Sequence, residues 1–169
     1  LKKRAYRPLP FATLPDRLKQ LGVTSGRVDT FAAKHGIEVV SCRTLNDSVV
    51  QRYLQERTPR LAVFTGGGII REETLRSAGD GVLNCHMGRL PFYRGMDVVE
   101  WPIFQGHVDQ LGFTVHFMDH GIDTGNILGM FPVSQEDAEN IETLRLKYEV
   151  PMAESLVEMA VRWLSGQVQ

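Results

Sequence analysis

The chain has 169 residues, of which 43% are apolar, 8% aromatic and 23% charged, a composition typical of a globular domain. The formal charge of −1 disfavours a coating role on nucleic acid or on an anionic membrane. No apolar run approaches the roughly 18 residues that a membrane span needs, and no signal-peptide pattern opens the chain. The two cysteines, Cys42 and Cys85, are too few for a disulfide scaffold and fit a reducing compartment. We therefore expect a soluble, cytoplasmic protein.

The first segment predicts an irregular arm over residues 1–24. Pro8, Pro10 and Pro15 each disfavour helix at the residue before them. The chain begins without methionine, and apolar periodicity starts only near residue 28, so we expect an opening strand to be missing. One domain is predicted over residues 25–169, because no internal repeat or linker interrupts it.

Helical and strand patterns then alternate along the chain. They predict a first helix with Val28, Phe31 and Ala32 that stops at His35-Gly36, followed by a strand over 37–40. A second helix, capped by Asn46, is predicted to end before Pro59 and to lead into a strand over 61–64. A glycine turn over 66–68, a helix over 71–78 and a strand over 81–86 follow. Asp97 is the predicted cap of the next helix, strands follow over 111–118 and 127–133, and Asn140 is the predicted cap of a C-terminal helix that Pro151 should kink or split. This alternation, with nearly continuous apolar strands, predicts a doubly wound α/β fold: a mostly parallel sheet with helices on both faces.

Ligands of such folds gather outside the carboxyl ends of the strands. Polar residues follow three predicted strands, over 65–68, 84–95 and 119–126. Asn84 and His86 are two residues apart on an extended backbone, so their side chains project to the same side and suit a developing oxyanion. The alternative is an asparagine bonded to local backbone and a satisfied, half-buried histidine.

Further motifs decide between these interpretations. Asn84-Cys85-His86, Leu90-Pro91, Tyr93-Arg94-Gly95 and Asp123-Thr124-Gly125 together resemble the signature of folate-dependent formyltransferases, the family of glycinamide ribonucleotide, methionyl-tRNA and nucleotide-sugar formyltransferases. The resemblance extends from about residue 28 to the C-terminus. It implies a Rossmann-like catalytic domain similar to the N-terminal domain of these one-carbon transferases, and 10-formyltetrahydrofolate as formyl donor.

The resemblance also implies residue roles. Asn84, His86 and Asp123 match the catalytic residues of the family. The matching folate-binding positions are Thr65, Gly66, Gly67, Gly68, Ile69, Leu90, Asp119, His120, Gly121 and Ile122. Glu149 resembles a position at which glycinamide ribonucleotide enzymes hold the substrate amine, although a solvated helix carboxylate is the alternative interpretation.

The expected chemistry explains the catalytic residue types. Formyl transfer to an amine passes through a tetrahedral species whose oxygen becomes negative. The Asn84 amide and a protonated His86 offer N–H donors to that oxygen. Ionised Asp123 favours the charged form of His86 and accepts a proton from the amine, directly or through water. Cys85 points to the other side of its strand and is expected to pack rather than react.

Other polar side chains flank the expected site. Arg89 and Arg94 suit a carboxylate or phosphate of folate or acceptor, with a solvated surface position as the alternative. Thr114 and His116 share a strand face and are expected to line the pocket, with Thr114 meeting substrate, or to support Asp123. No metal site is expected, because Cys85, His86, His116 and His120 lack the spacing of zinc ligands.

The acceptor is expected to be a small primary amine, with no nucleic-acid or membrane partner, and the oligomeric state is left open. A tRNA acceptor is disfavoured because the charge is near neutral and no extra domain follows the matching segment. One alternative is water as acceptor, which would make the protein a 10-formyltetrahydrofolate hydrolase. The alternative of another class is a non-catalytic folate-binding or interaction module.

Overall fold

The computed structural model describes residues 28–66, 68–134 and 141–168, and the chain divides after Ser41 into two units. Outside the described residues lie the predicted arm, Gly67 and the predicted cap Asn140. The expectation of a missing opening strand also concerns this undescribed part of the chain. In the first unit, helix α1 spans Val28–Lys34 and ends before Gly36, whose φ is +65°, as predicted. The strand predicted over 37–40 is wrong: the described chain has no strand at these positions, and residues 37–39 are exposed. An apolar run forms a strand only when a neighbouring edge accepts its hydrogen bonds.

The second unit alternates strands and helices, as predicted. Its elements are α2 (Ser48–Arg57), β1 (Ala62–Phe64), α3 (Glu72–Arg76), β2 (Val82–His86), α4 (Glu100–Phe104), a 3-10 turn (Val108–Gln110), β3 (Gly112–Phe117), β4 (Ile127–Pro132) and α5 (Ile141–Leu164). Within the described part of the chain, no helix combines the length and apolar character needed to cross a bilayer.

The described strands form one sheet in the order β1-β2-β3-β4, which confirms the α/β class. The mostly parallel arrangement that we predicted is corrected, because β1 and β2 are parallel whereas β2–β3 and β3–β4 are antiparallel. Strands covered on both faces are continuously apolar in either direction, so composition alone does not fix strand direction.

Side chains of β2 and β3 alternate between the two faces of the sheet. On one face, Leu83 and Val115 pack against Leu156 and Met159 of α5. On the other face, Val82 packs with residues 70 and 78, and with leucines of α2 and α3. Helices therefore cover both faces, as predicted. Asn84, His86, Thr114 and His116 follow Val82 on the second face, beyond the apolar cluster.

Three local predictions are corrected by tertiary contacts. Asn46 does not cap α2: its amide nitrogen donates to the Ile69 carbonyl at 2.7 Å, and its amide oxygen accepts from the Arg71 N–H at 2.6 Å. Asp97 does not cap α4, which begins at Glu100 after Val99. Helix α5 continues through Pro151 rather than splitting there. Leu144 before the proline and Leu156 after it are buried, so packing of both halves of the helix offsets the missing backbone hydrogen bond.

Candidate active site

The centre of the site is the Asp123 carboxylate, which lies between two histidines. The Nδ1 atom of His86, at the end of β2, lies 3.5 Å from Asp123 Oδ2. The Nε2 atom of His116, on β3, lies 3.4 Å from Asp123 Oδ1. Asp123 has a φ of +51°, a left-handed conformation that aspartate adopts more readily than most residues. The turn after β3 thus folds back and inserts its carboxylate between the two imidazoles.

Asn84 joins this group through the register of β2 and β3, in which it lies opposite His116. Its amide Nδ2 is 3.3 Å from His116 Nε2. The structure therefore brings Asn84, His86 and Asp123 together around His116. Cys85 packs with the α5 side of the sheet, and burial raises the pKa of its thiol to about 12, which makes it a poor nucleophile.

Two backbone groups of the segment 93–95 hold the His86–Asp123 pair. The Tyr93 carbonyl lies 2.9 Å from His86 Nε2, and the Gly95 N–H donates to Asp123 Oδ2 at 2.9 Å. Because a carbonyl only accepts, Nε2 carries the hydrogen. A Cβ on Gly88 would lie 2.6 Å from His86 Nε2, so only glycine leaves this bond undisturbed. Sequence reasoning missed these contacts, since backbone groups leave no residue-type signal beyond the Tyr93-Arg94-Gly95 motif.

The environment sets the charge of the pair. Burial lowers the pKa of His86 and outweighs the opposing effects of the Asp123 carboxylate and the Tyr93 carbonyl. Burial raises the pKa of Asp123, but the Gly95 N–H and the charges that His86 and His116 carry when protonated together leave it below its ordinary value. Asp123 is therefore ionised at neutral pH and His86 is mainly neutral. Burial disfavours the protonated His86 that we expected from the sequence.

Thr114 holds the loop after β2. Its hydroxyl donates to the Gly88 carbonyl at 2.8 Å and accepts from the Leu90 N–H at 3.2 Å. Thr114 and Leu90 are both fully buried. Both side chains are therefore shielded from solvent, and the Thr114 hydroxyl ties residues 88 and 90, at the start of the loop that carries Tyr93 and Gly95, to β3.

The expected folate-binding segments form two loops. The parallel pairing of β1 and β2 puts the described residues of the first loop, 65, 66, 68 and 69, at the end of the sheet that also carries the loop after His86. Thr65 is exposed, Gly66 and Gly68 have φ of +113° and +94°, and Ile69 is 78% exposed. An exposed backbone with positive φ is suited to close approach of a ligand.

The second loop is closed by Asp119. Its carboxylate accepts hydrogen bonds from the Thr124 hydroxyl at 2.5 Å and from the Gly121 N–H at 3.0 Å. Both bonds lower the pKa of Asp119, and the Thr124 bond has the larger effect. A Cβ on Gly125 would overlap the Phe117 carbonyl, so the return of the chain requires glycine. His120 and Ile122 are exposed, which leaves this rim of the site open to solvent.

The charged residues expected to bind substrate lie in different places. Arg94 lies between Tyr93 and Gly95, whose backbone groups bond His86 and Asp123, and it lines an exposed cavity of about 410 Å³ with Trp101 and His107. Arg89 donates to the Asp109 carbonyl and lines a different cavity. Glu149 is exposed on α5, whose residues Leu156 and Met159 pack on the opposite face of the sheet. Among the described residues, no group of three or more histidine, cysteine or acidic side chains is arranged to hold a metal ion.

The fold and site define an α/β domain that gathers an amide, an imidazole and a carboxylate on one face of its sheet. Residues 18–158 match the formyl transferase family. The chain therefore belongs to that family.

Named relatives agree with this membership, and solved structures agree with the fold. The chain is 30% identical over 169 residues to methionyl-tRNA formyltransferase of Thermodesulfovibrio yellowstonii, covering 98% of this chain and 54% of that protein. It thus spans about half the length of the curated relatives that it matches. Phosphoribosylglycinamide formyltransferase of Bacillus halodurans superposes with a TM-score of 0.64 at 20% identity, covering 90% and 89% of the two chains.

A formyltransferase of Anoxybacillus kamchatkensis, solved with UDP-4,6-dideoxy-4-formamido-L-AltNAc and tetrahydrofolate, gives a TM-score of 0.61 at 18% identity, covering 84% and 73%. At these identities the two structures support the fold of the chain.

Proposed function

We propose that this protein transfers a formyl group from 10-formyltetrahydrofolate to a primary amine. The observation that carries the proposal is the Asp123 carboxylate within 3.5 Å of His86, with Asn84 joined to it through His116. Membership of the formyl transferase family supports the same reaction. The amide supplies a donor for a developing oxyanion, and the imidazole and carboxylate together move a proton.

Because His86 is mainly neutral, one of its ring nitrogens can accept a proton during the reaction. Tyr93 holds the hydrogen on Nε2, so Nδ1 is free of a proton and accepts one from the attacking amine. The ionised Asp123 beside Nδ1 stabilises the resulting imidazolium. A new bond joins the amine nitrogen to the formyl carbon while an Asn84 N–H donates to the oxyanion. The bond to folate N10 then breaks, and N10 takes the proton from Nδ1.

Folate is proposed to bind through the loops 65–69 and 119–122. Backbone N–H and C=O groups of such loops suit a heterocycle edge that presents donors and acceptors side by side. The open backbone at Gly66 and Gly68 supports this placement.

The proposed acceptor is the amine of a small molecule, supported by the balanced charge of the chain. The amine of methionyl-tRNA is the second candidate, supported by the names of the 30% identical relatives. Turnover with small amines and amino-sugar nucleotides, compared with turnover on methionyl-tRNA, distinguishes the two. Formate release without any amine would instead indicate the hydrolase.

The first prediction tests the catalytic residues. Asn84→Ala, His86→Ala and Asp123→Asn should each lower turnover by at least about a hundredfold, because each removes a donor or a proton acceptor at the reacting atoms. Cys85→Ala is the matched control: it lies between Asn84 and His86 but faces the α5 side, so its turnover should stay within a few-fold of wild type. Near-normal turnover in all three catalytic variants would contradict the proposed mechanism. Failure of the folded wild type to bind 5-formyltetrahydrofolate in calorimetry would favour the interaction module.

A further inference from the structure

His116 is a buried histidine that the proposed reaction does not use, although it lies between two groups that the reaction needs. It is 1% exposed. Its Nδ1 lies 2.7 Å from the Phe117 carbonyl, and its Nε2 is 3.3 Å from Asn84 Nδ2 and 3.4 Å from Asp123 Oδ1. One ring nitrogen therefore meets both the amide and the carboxylate of the site.

The Phe117 carbonyl determines what Nε2 can do. A carbonyl only accepts, so Nδ1 must carry a hydrogen. If Nε2 has no hydrogen, it accepts from the Asn84 amide nitrogen. If Nε2 has one, it donates to Asp123 and repels the Asn84 NH₂ group, whose amide would then turn its oxygen toward the ring. Nε2 serves only one of the two neighbours in each state.

We propose that His116 is a positioning residue that fixes the Asn84 carboxamide with its NH₂ group in the site, by accepting one of the two N–H groups at Nε2. The second N–H of that NH₂ group is then left to donate to the reacting oxygen. A reversed amide would put an oxygen lone pair at the same place, which repels an oxyanion. This role rests on the proposed function, because it concerns the oxyanion donor of that reaction.

The tautomer is measured without turnover. In the ¹⁵N spectrum of the full chain at neutral pH, the His116 signals are expected to show an unprotonated Nε2 and a protonated Nδ1. A protonated Nε2 would overturn the proposal, since it would bind Asp123 instead of Asn84. Because this readout needs no substrate, it tests His116 even if the proposed reaction fails.

Kinetics separate positioning from a packing role. His116→Phe keeps a ring but has no acceptor, and is expected to lower kcat at least about tenfold with KM for folate changed less than about twofold. His116→Gln places an amide oxygen near Asn84 and should recover much of that loss. If both variants fold fully and His116→Gln does not recover the kcat lost in His116→Phe, the proposal is contradicted.

A double-mutant cycle identifies the group through which His116 acts. In an Asn84→Ala background, His116→Phe should cost less than about twofold further, whereas in an Asp123→Asn background it should keep its full cost. An undiminished cost in the Asn84→Ala background would overturn the assignment. An inactive wild type would instead contradict the proposed function, so the two failures are distinguishable.

Discussion

His86 has a neighbour at each ring nitrogen, with Tyr93 at Nε2 and Asp123 beside Nδ1. Its protonation is therefore set by burial working against a carboxylate. We predict that the His86 ring titrates below 6.5 in NMR, because burial is the largest effect on its pKa. In Asp123→Asn the midpoint should fall further, since the attraction that favours the imidazolium is lost.

A midpoint that rises in Asp123→Asn would show that Asp123 does not favour the imidazolium. A His86 midpoint above 6.5 in the wild type would show that the carboxylate outweighs burial. Neutral His86 would then not be the proton acceptor in the resting site.

Gly88 tests the backbone contact behind His86. A Cβ there would lie 2.6 Å from Nε2 and 2.8 Å from the Tyr93 carbonyl, so Gly88→Ala must displace the ring or the loop. We expect turnover to fall roughly a hundredfold, the usual cost of displacing a catalytic group by about 1 Å.

Gly106→Ala is the matched control for Gly88→Ala. It also adds a methyl group, but into open space, at a φ of +75° that costs about 1 kcal/mol of stability rather than activity. Equal turnover of Gly88→Ala and wild type would mean that the His86–Tyr93 bond does not position the ring.

At the scale of elements, most apolar runs predicted strands correctly, the run 37–40 being the exception, whereas the predictions of single polar helix caps at Asn46 and Asp97 were wrong. β2, β3 and β4 followed from apolar runs whose residues pack against helices. Asn46 was chosen as a helix cap because of its residue type, yet it bonds a distant loop at residues 69 and 71. A cap residue selects its partner in three dimensions, and local sequence does not contain that partner.

The candidate site divides in the same way. Asn84, His86 and Asp123 were identified from residue type, spacing and resemblance, and the fold brings them together. The Tyr93 carbonyl and the Gly95 N–H were not identified, because every residue carries such groups. Their selection depends on the path of the loop, which Thr114 fixes from the neighbouring strand.

Helix α5 keeps a proline in its interior, and this predicts a stabilising substitution. Pro151 removes one backbone hydrogen bond and crowds the preceding turn, at a cost of up to about 3 kcal/mol in a helix interior. Pro151→Ala should therefore raise the free energy of unfolding by about 1–3 kcal/mol in urea titrations. Val150→Ala is the control for helix propensity alone, and we expect it to change the free energy of unfolding by less than about 1 kcal/mol. A destabilised Pro151→Ala would mean that α5 is shaped around the proline ring.

At the scale of the whole molecule, strand direction was the feature that composition did not reveal. The direction matters for function, because the antiparallel β2–β3 pairing sets His116 opposite Asn84. It also makes the chain after β3 return across the same face, where it delivers Asp123. A wholly parallel sheet would bring different residues of β3 beside β2, and the carboxylate would need another route.

The buried site should also make stability depend on pH. His86 and Asp123 have lower pKa values in the folded chain than their ordinary values of 6.5 and 3.8, and so has Asp119. The unfolded chain therefore binds protons more tightly at each group, so stability is full above the ordinary pKa and is lost as pH falls through the folded one. Stability should thus fall on acidification below about 6.5 through His86, and again below about 4 through the two aspartates.

Urea midpoints of wild type and His86→Gln, measured from about pH 7.5 down to about 5.5, isolate the histidine because glutamine does not titrate. The wild-type midpoint should fall more steeply over this range than that of the variant. Parallel slopes would mean that other groups carry the change. A wild type that gains stability on acidification would mean that folding favours the imidazolium, and the proposed proton acceptor would then already be occupied.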